Sequence, residues 1–138
     1  MLREIRRGEA AFDRFMAALA CAELPMDDLS DQPFRYFEHQ GLAWGGIGSG
    51  EDALLRSVVV ADEARGRGLG VAIINALAEE ARLAGAKKLW LLTTNGSLLF
   101  GKLGWSSVER IMAPPQIAAS RQFTSLCPAS ATLMVRAL

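Results

Sequence analysis

The sequence predicts an α/β fold organised around one parallel pair of strands, and three observations carry that expectation. Leu54-Leu55-Arg56-Ser57-Val58-Val59-Val60 is short, apolar and β-branched, which reads as a buried strand. Farther on, Leu69, Ile73, Ala76, Leu77, Ala81 and Ala84 fall on one helical face, with Asn75, Glu79 and Arg82 opposite. Lys88 to Thr93 is then apolar enough for a central strand, which the crossover helix delivers parallel to the first.

The junction between that strand and that helix is Arg65-Gly66-Arg67-Gly68-Leu69-Gly70. Alternating glycines let the backbone turn tightly and present several N–H groups in a row. With the positive end of a helix behind them, such groups suit an anion of the size of a pyrophosphate. Arg65 and Arg67 add charge-assisted donors. A loop that only turns a corner is the plain alternative. Two other phosphate loops fit poorly: no Gly-Lys precedes a Ser or Thr, and Val71 stands where the dinucleotide fingerprint needs glycine.

The remaining elements follow in order. Ala10 to Ala20 reads as a helix with Phe12, Phe15, Met16 and Leu19 on one side, and Asp27 to Pro33 as a polar linker. Phe34 to Glu38 and Leu42 to Ile47 flank His39-Gln40-Gly41, a hairpin turn, and Gly48-Ser49-Gly50 is a second turn. Leu98 to Leu103 reads as a short helix and Trp105 to Arg110 as a strand. Pro114-Pro115 opens a helix from about Gln116 to Leu126, since proline suits a first turn. Ala131 to Ala137 is the last strand.

Composition bounds the function. The chain has 138 residues, enough for one domain spanning 1–138. Lys plus Arg and Asp plus Glu number 15 each, so nothing points to nucleic acid or a membrane surface. No run approaches the ~20 apolar residues of a span, and the charged N-terminus is no secretory signal, so a cytoplasmic location is expected. Cys21 and Cys127 fit no metal spacing and are expected to be reduced and buried.

The spacing Arg65-x-x-Gly68-x-Gly70, after an apolar strand and before a helix, resembles that of the GCN5-related N-acetyltransferases (GNAT). A second stretch, Leu99-Phe100-Gly101-Lys102-Leu103-Gly104-Trp105, is similar to the short helix and turn of that family. The resemblance implies a mixed, mostly antiparallel sheet flanked by helices, whose central parallel strands splay apart to admit acetyl-coenzyme A. It also implies that Arg65, Gly66, Arg67, Gly68, Leu69 and Gly70 hold the pyrophosphate. Backbone groups of Val58, Val59 and Val60 would hold the acetyl and pantetheine parts and the oxyanion, and Thr93 and Phe100 would lie near the cofactor. No metal is implied. The partner is a small amine, and two chains pairing through their C-terminal strands is a common habit of the family.

The C-terminal third narrows the resemblance. Gln116-Ile117 and Arg121-Gln122-Phe123-Thr124-Ser125-Leu126-Cys127-Pro128-Ala129-Ser130-Ala131 resemble a signature of the arsenic-resistance N-acetyltransferase subfamily, as do Thr93-Thr94 and the stretch from Ala53 to Val58. An acetyltransferase acting on an amino-acid-like amine is the reading this favours. The same fold acting on a protein or peptide amine, and a non-catalytic acetyl-coenzyme A sensor, stand beside it. Two features bear on the chemistry. Phe100 stands where many members carry a tyrosine that protonates the leaving thiolate, and no carboxylate lies between Ala53 and Ala61. A base would be water, Glu51 or Asp52, or none would be needed for an α-amino group, whose pKa of about 7.7–8.0 leaves much of it neutral.

Single residues keep two readings each. Arg56, mid-strand, is a structural ion-pair member or a contact for an anionic substrate. Ser57 lines the core or the site. Arg121 is a solvated helix residue or binds a substrate carboxylate. His39 is a turn residue or a base. Cys127 invites an arsenic ligand role, although only two cysteines exist.

Overall fold

The computed structural model describes residues 2–31, 34–127 and 130–138. Gln32-Pro33 of the polar linker and Pro128-Ala129 of the C-terminal signature lie outside the described residues. Seven strands, β1 (Leu2–Ile5), β2 (Arg35–His39), β3 (Ala43–Ile47), β4 (Asp52–Val60), β5 (Lys88–Thr93), β6 (Ser106–Val108) and β7 (Thr132–Ala137), form one sheet in the order β1-β2-β3-β4-β5-β7-β6. Among the described residues only β4 and β5 run parallel; the other pairs are antiparallel. The mixed, mostly antiparallel sheet is therefore as the sequence predicts.

Period-two alternation sorts the side chains between two faces. Leu55, Leu89, Leu91 and Met134 join Ile73, Ile74, Leu77 and Ala81 of helix α2 (Leu69–Leu83) in one core. Their neighbours in sequence, Leu54, Trp90 and Leu133, pack with Ile117 of the short helix α4 (Pro115–Ala118) on the opposite face. On that same face Phe12, Phe15 and Leu19 of α1 (Ala10–Cys21) pack on Tyr36, Trp44 and Val59. Helix α3 (Ser97–Lys102) follows β5.

The hairpin between β2 and β3 turns at Gln40 and Gly41, at φ +58° and +67°, the double left-handed geometry that twists with the strands. β1 was not expected: Leu2-Arg3-Glu4-Ile5 is too short and charged to stand out, and only its pairing with β2 makes it a strand. The helix expected from Gln116 to Leu126 is not continuous. Instead α4 stops at Ala118 and a π-helical turn spans Gln122–Leu126; between them the ladder tightens, the Ser120 N–H and hydroxyl both bonding the Ile117 carbonyl, at 3.1 and 2.7 Å. The strand expected from Trp105 to Arg110 shrinks to Ser106–Val108, with Trp105 buried beside Phe100. Ala84 lies beyond α2 and is exposed.

Candidate active site

β4 and β5 are paired only at Asp52↔Lys88, Ala53↔Leu89 and Leu54↔Trp90. Beyond Leu54 both strands continue, to Val60 and Thr93, without pairing. The sheet therefore opens into a gap at the carboxyl ends of its parallel strands, the place where α/β sheets accept ligands. From Leu55 to Val60, β4 turns an unpaired backbone edge towards that gap.

The same stretch carries a bulge. Trp44 faces Val59, but Gly46 faces Arg56, so Gly45 has both Ser57 and Val58 opposite it. Ser57 sits at φ +57°, a left-handed conformation uncommon for a residue with a Cβ. Bulges of this kind redirect the backbone beside active sites. The signal in the sequence was Gly45-Gly46 on the facing strand. A Cβ on Gly45 would stand 2.6 Å from Leu77 and 3.3 Å from Val58.

At the open end of the gap, Asp62–Ala64 makes one 3-10 turn and the glycine loop follows. Gly66 and Gly68 have φ of +83° and +76°, and Gly68 is the N-cap of α2. A Cβ at either position would meet nothing within 4 Å, so backbone conformation rather than crowding in the free protein calls for glycine. Ala72 donates the first helical bond, to the Gly68 carbonyl at 3.1 Å. Among the described residues the N–H groups from 66 to 71 meet no acceptor. Such a row of free donors at a helix start fits a pyrophosphate.

The loop cations are loosely held. Arg65 pairs with Asp62 at 3.2 Å, and Arg67 donates to the Glu63 carbonyl at 3.4 Å, both in the open. Exposed pairs of this kind are worth about 0–1 kcal/mol, so either arginine can swing to an anion. Since Asp62 and Glu63 offset the two charges, the N–H groups carry the anion preference.

On the other side of the gap, Thr93 Oγ1 accepts the N–H of Gly96 at 2.9 Å and builds the turn into α3. Phe100 stacks edge-on against Trp105, ring centres 5.6 Å apart. It forms an apolar wall. Glu51 and Asp52, the carboxylates considered as bases, lie at the closed end: Glu51 pairs with Lys87 at 3.6 Å and Asp52 accepts the Trp90 indole N–H at 3.0 Å. Asp52 is five residues, ~16 Å along the strand, from the bulge.

Arg56 is the ion-pair member. Its side chain is 0% exposed and pairs with Asp28, which is 1% exposed. Asp28 also accepts from Gln122 Nε2 at 3.2 Å, and Gln122 Oε1 takes the Cys127 thiol at 3.3 Å. The guanidinium lies 4.9 Å from the Phe34 ring centre and 5.8 Å from that of Tyr36. Burial pushes the Tyr36 phenol up to about 12, so it stays protonated. Its hydroxyl and Arg56 Nη2 are buried without a partner among the described residues. Sequence reasoning missed Asp28, Gln122 and Tyr36. The available signal was Arg56 itself, since a cation inside an apolar strand requires a buried acid.

Arg121 does not sit in a long helix. It bonds Asp31 at 2.8 and 3.3 Å and the Asp27 carbonyl at 2.6 Å, and the Asp31 bond raises its pKa. With Asp31, Phe34, Leu54, Gln116 and Ile117 it lines a cavity of about 220 Å³ on the Arg56 face. His39 ends β2. The cysteines are free, but Cys21 is exposed on α1 rather than buried, and Cys127 is half-buried with burial raising its pKa. Among the described residues no group of His, Cys, Asp or Glu is arranged to hold a metal.

The model of the acetyltransferase (GNAT) family matches residues 21–105, which include β4, the gap, the glycine loop and Phe100. The chain belongs to the GNAT family. No curated protein sequence matches it. Solved structures share its fold at low identity. N-acetylglutamate synthase from Neisseria gonorrhoeae, complexed with coenzyme A and N-acetyl-glutamate, is 16% identical with a TM-score of 0.78, over 100% of this chain and 35% of that one. Rv2747 from Mycobacterium tuberculosis, in complex with CoA, is 18% identical with a TM-score of 0.74, over 100% and 99%. An aminoglycoside 6'-N-acetyltransferase complexed with coenzyme A is 14% identical with a TM-score of 0.71, over 99% and 96%. The chain spans about a third of the length of the N-acetylglutamate synthases it matches. Among the described residues, no helix of this GNAT chain is long and apolar enough to cross a membrane.

Proposed function

We propose that the protein transfers the acetyl group of acetyl-coenzyme A to a small primary amine of amino-acid type. The observation that carries this is the gap between β4 and β5, with a strained bulge on one wall and a row of free N–H donors at its mouth. GNAT structures of the same fold with coenzyme A support the cofactor.

In this reading the N–H groups of Gly66 to Gly70, with Arg65 and Arg67, hold the pyrophosphate. The edge of Val58 to Val60 lies along the pantetheine, with Thr93 and Phe100 opposite. Acetyl-coenzyme A supplies an activated acyl carbon and a thiolate that leaves readily. A backbone N–H of the bulged strand faces the thioester oxygen, where negative charge develops as the amine adds; one such donor is worth about 3 kcal/mol. Holding amine and thioester together supplies much of the rest. Water takes the amine proton and returns one to the thiolate, because no carboxylate lies between Ala53 and Ala61 and Phe100 has no hydroxyl.

The acceptor enters from the sheet face that carries Arg56, beside Ser57 and Arg121, where an acceptor carboxylate would take the place of Asp31 on Arg121. The C-terminal resemblance supports amino acids or their arsenic-bearing analogues as acceptors, in the cytoplasm. If two chains pair through C-terminal strands, β6 supplies the edge, since β7 is paired on both sides. Phe100 favours one second reading, an acetyl-coenzyme A sensor. Following free thiol release with acetyl-coenzyme A across amino acids, their phosphorus and arsenic analogues, and lysine-containing peptides tests the proposal. Release with one amino-acid-type amine supports it, release only with peptides overturns the acceptor class, and binding without release favours the sensor.

A further inference from the structure

We propose that Arg56 is a positioning residue, which holds the β4 bulge in the conformation that aims its backbone N–H at the thioester oxygen. The inference rests on the acetyl-transfer reading above and assigns the buried Arg56–Asp28 pair a role within it.

Three observations converge on Arg56. First, Ser57 holds a left-handed backbone within a β-strand, and β5 no longer pairs with β4 at that level. Strained conformations persist only where surrounding groups over-determine them. Second, the group that does so is adjacent: Arg56 Nε donates to Ser57 Oγ at 2.9 Å. Third, the guanidinium is itself anchored from outside the sheet. Asp28 accepts from Nη1, Gln122 fixes Asp28 from the far end of the chain, and the rings of Phe34 and Tyr36 lie against the guanidinium.

A buried ion pair is a poor device for stability, because desolvation of both charges offsets their attraction. Stability alone would be served as well by an apolar pair. What an apolar pair could not supply is the hydrogen bond to Ser57. The pair therefore makes the bulge a fixed feature, tied to the two segments that roof the Arg56 face. Arg56 reaches the reacting atoms through Ser57 and the backbone and not by touching substrate.

The test reads the carbonyl stretch of isotope-labelled acetyl-coenzyme A bound to the protein by infrared difference spectroscopy, alongside calorimetric affinity. In the wild type the bound carbonyl should absorb at lower frequency than in water. Arg56→Met should lose most of that shift while affinity stays within about threefold, since the pyrophosphate loop is untouched and the oxyanion donor acts mainly on the reacting oxygen. Adding Ser57→Gly to Arg56→Met should restore the shift, because glycine adopts a positive φ without the tether. Should Arg56→Met fail to fold, the apolar pair Asp28→Leu with Arg56→Met replaces it. An unchanged shift in a folded variant lacking Arg56 overturns the inference. Absence of a shift in a wild type that binds acetyl-coenzyme A overturns the placement of the oxyanion donor instead.

Discussion

The ring of Tyr36 lies directly over Gly46: its Cδ1 and Cε1 stand 2.7 Å from where a Cβ on that glycine would be. Tyr36, Gly46 and Arg56 occupy one row across β2, β3 and β4. The missing side chain lets the phenol reach across β3 to the guanidinium beside the bulge. Gly46→Ala should therefore push the ring into Phe12, Phe15 and Phe34, which surround it. Overpacking of this kind costs about 1–3 kcal/mol. Thermal unfolding of Gly46→Ala beside Gly48→Ala checks this, since a Cβ at Gly48 meets its nearest atom at 3.4 Å and should cost less.

Tyr36 gives a second prediction. Its phenol titrates near 12 in the folded protein and near 10 when unfolded, so the folded state holds the proton more tightly. The stability this represents is fully present below pH ~10 and is lost as pH rises towards ~12, about 2–3 kcal/mol in all. Because the sequence contains a single tyrosine, ultraviolet absorbance of the phenolate reports it alone. Tyr36→Phe should leave stability at neutral pH unchanged or slightly higher, since it removes a buried hydroxyl without a partner, and should abolish its share of the alkaline loss. A phenolate that forms near pH 10 in the folded protein contradicts the burial argument.

Gly68→Val should fold yet fail to bind acetyl-coenzyme A. There is open space for the side chain, so the folding cost is that of a positive φ, about 1–2 kcal/mol. The branched group would project among the free N–H donors and keep a pyrophosphate away. Melting curves and calorimetric titration of the same sample separate the two effects. Normal affinity would mean the pyrophosphate lies elsewhere.

Much of this arrangement was legible in the sequence, for physical reasons. The strand from Leu54, the glycine loop and the helix after it are locally consistent, each with its own periodicity and turn chemistry. β5 was read to the residue because an apolar run between a helix and a turn leaves little choice. What could not be read was long-range. Asp28 lies in a stretch that looks like a polar linker, and only the fold carries it to Arg56. The bulge at Ser57 is a mismatch of register between two strands, which no single strand displays. The end of α4 is not legible because prolines announce a helix start, whereas its stop lies in a tightening of the backbone ladder at Ser120 that no residue type announces.

Phe100→Tyr should bind acetyl-coenzyme A as the wild type does and turn over no more slowly. The ring packs edge-on to Trp105 at the border of the gap, half-buried, so an added hydroxyl has a route to solvent. If the hydroxyl reaches the leaving sulfur, turnover rises by up to about 100-fold, the lower range for general acid catalysis. Steady-state thiol release checks this. A large loss of affinity would mean that the ring fills a closed wall.

The most direct test of the account is calorimetric titration of the purified protein with acetyl-coenzyme A, with Gly68→Val measured alongside. Saturable binding to the wild type, one molecule per chain, and none to the folded variant are expected. No binding to the wild type, or equal binding to both, would contradict the assignment of the gap and the loop from Arg65 to Gly70.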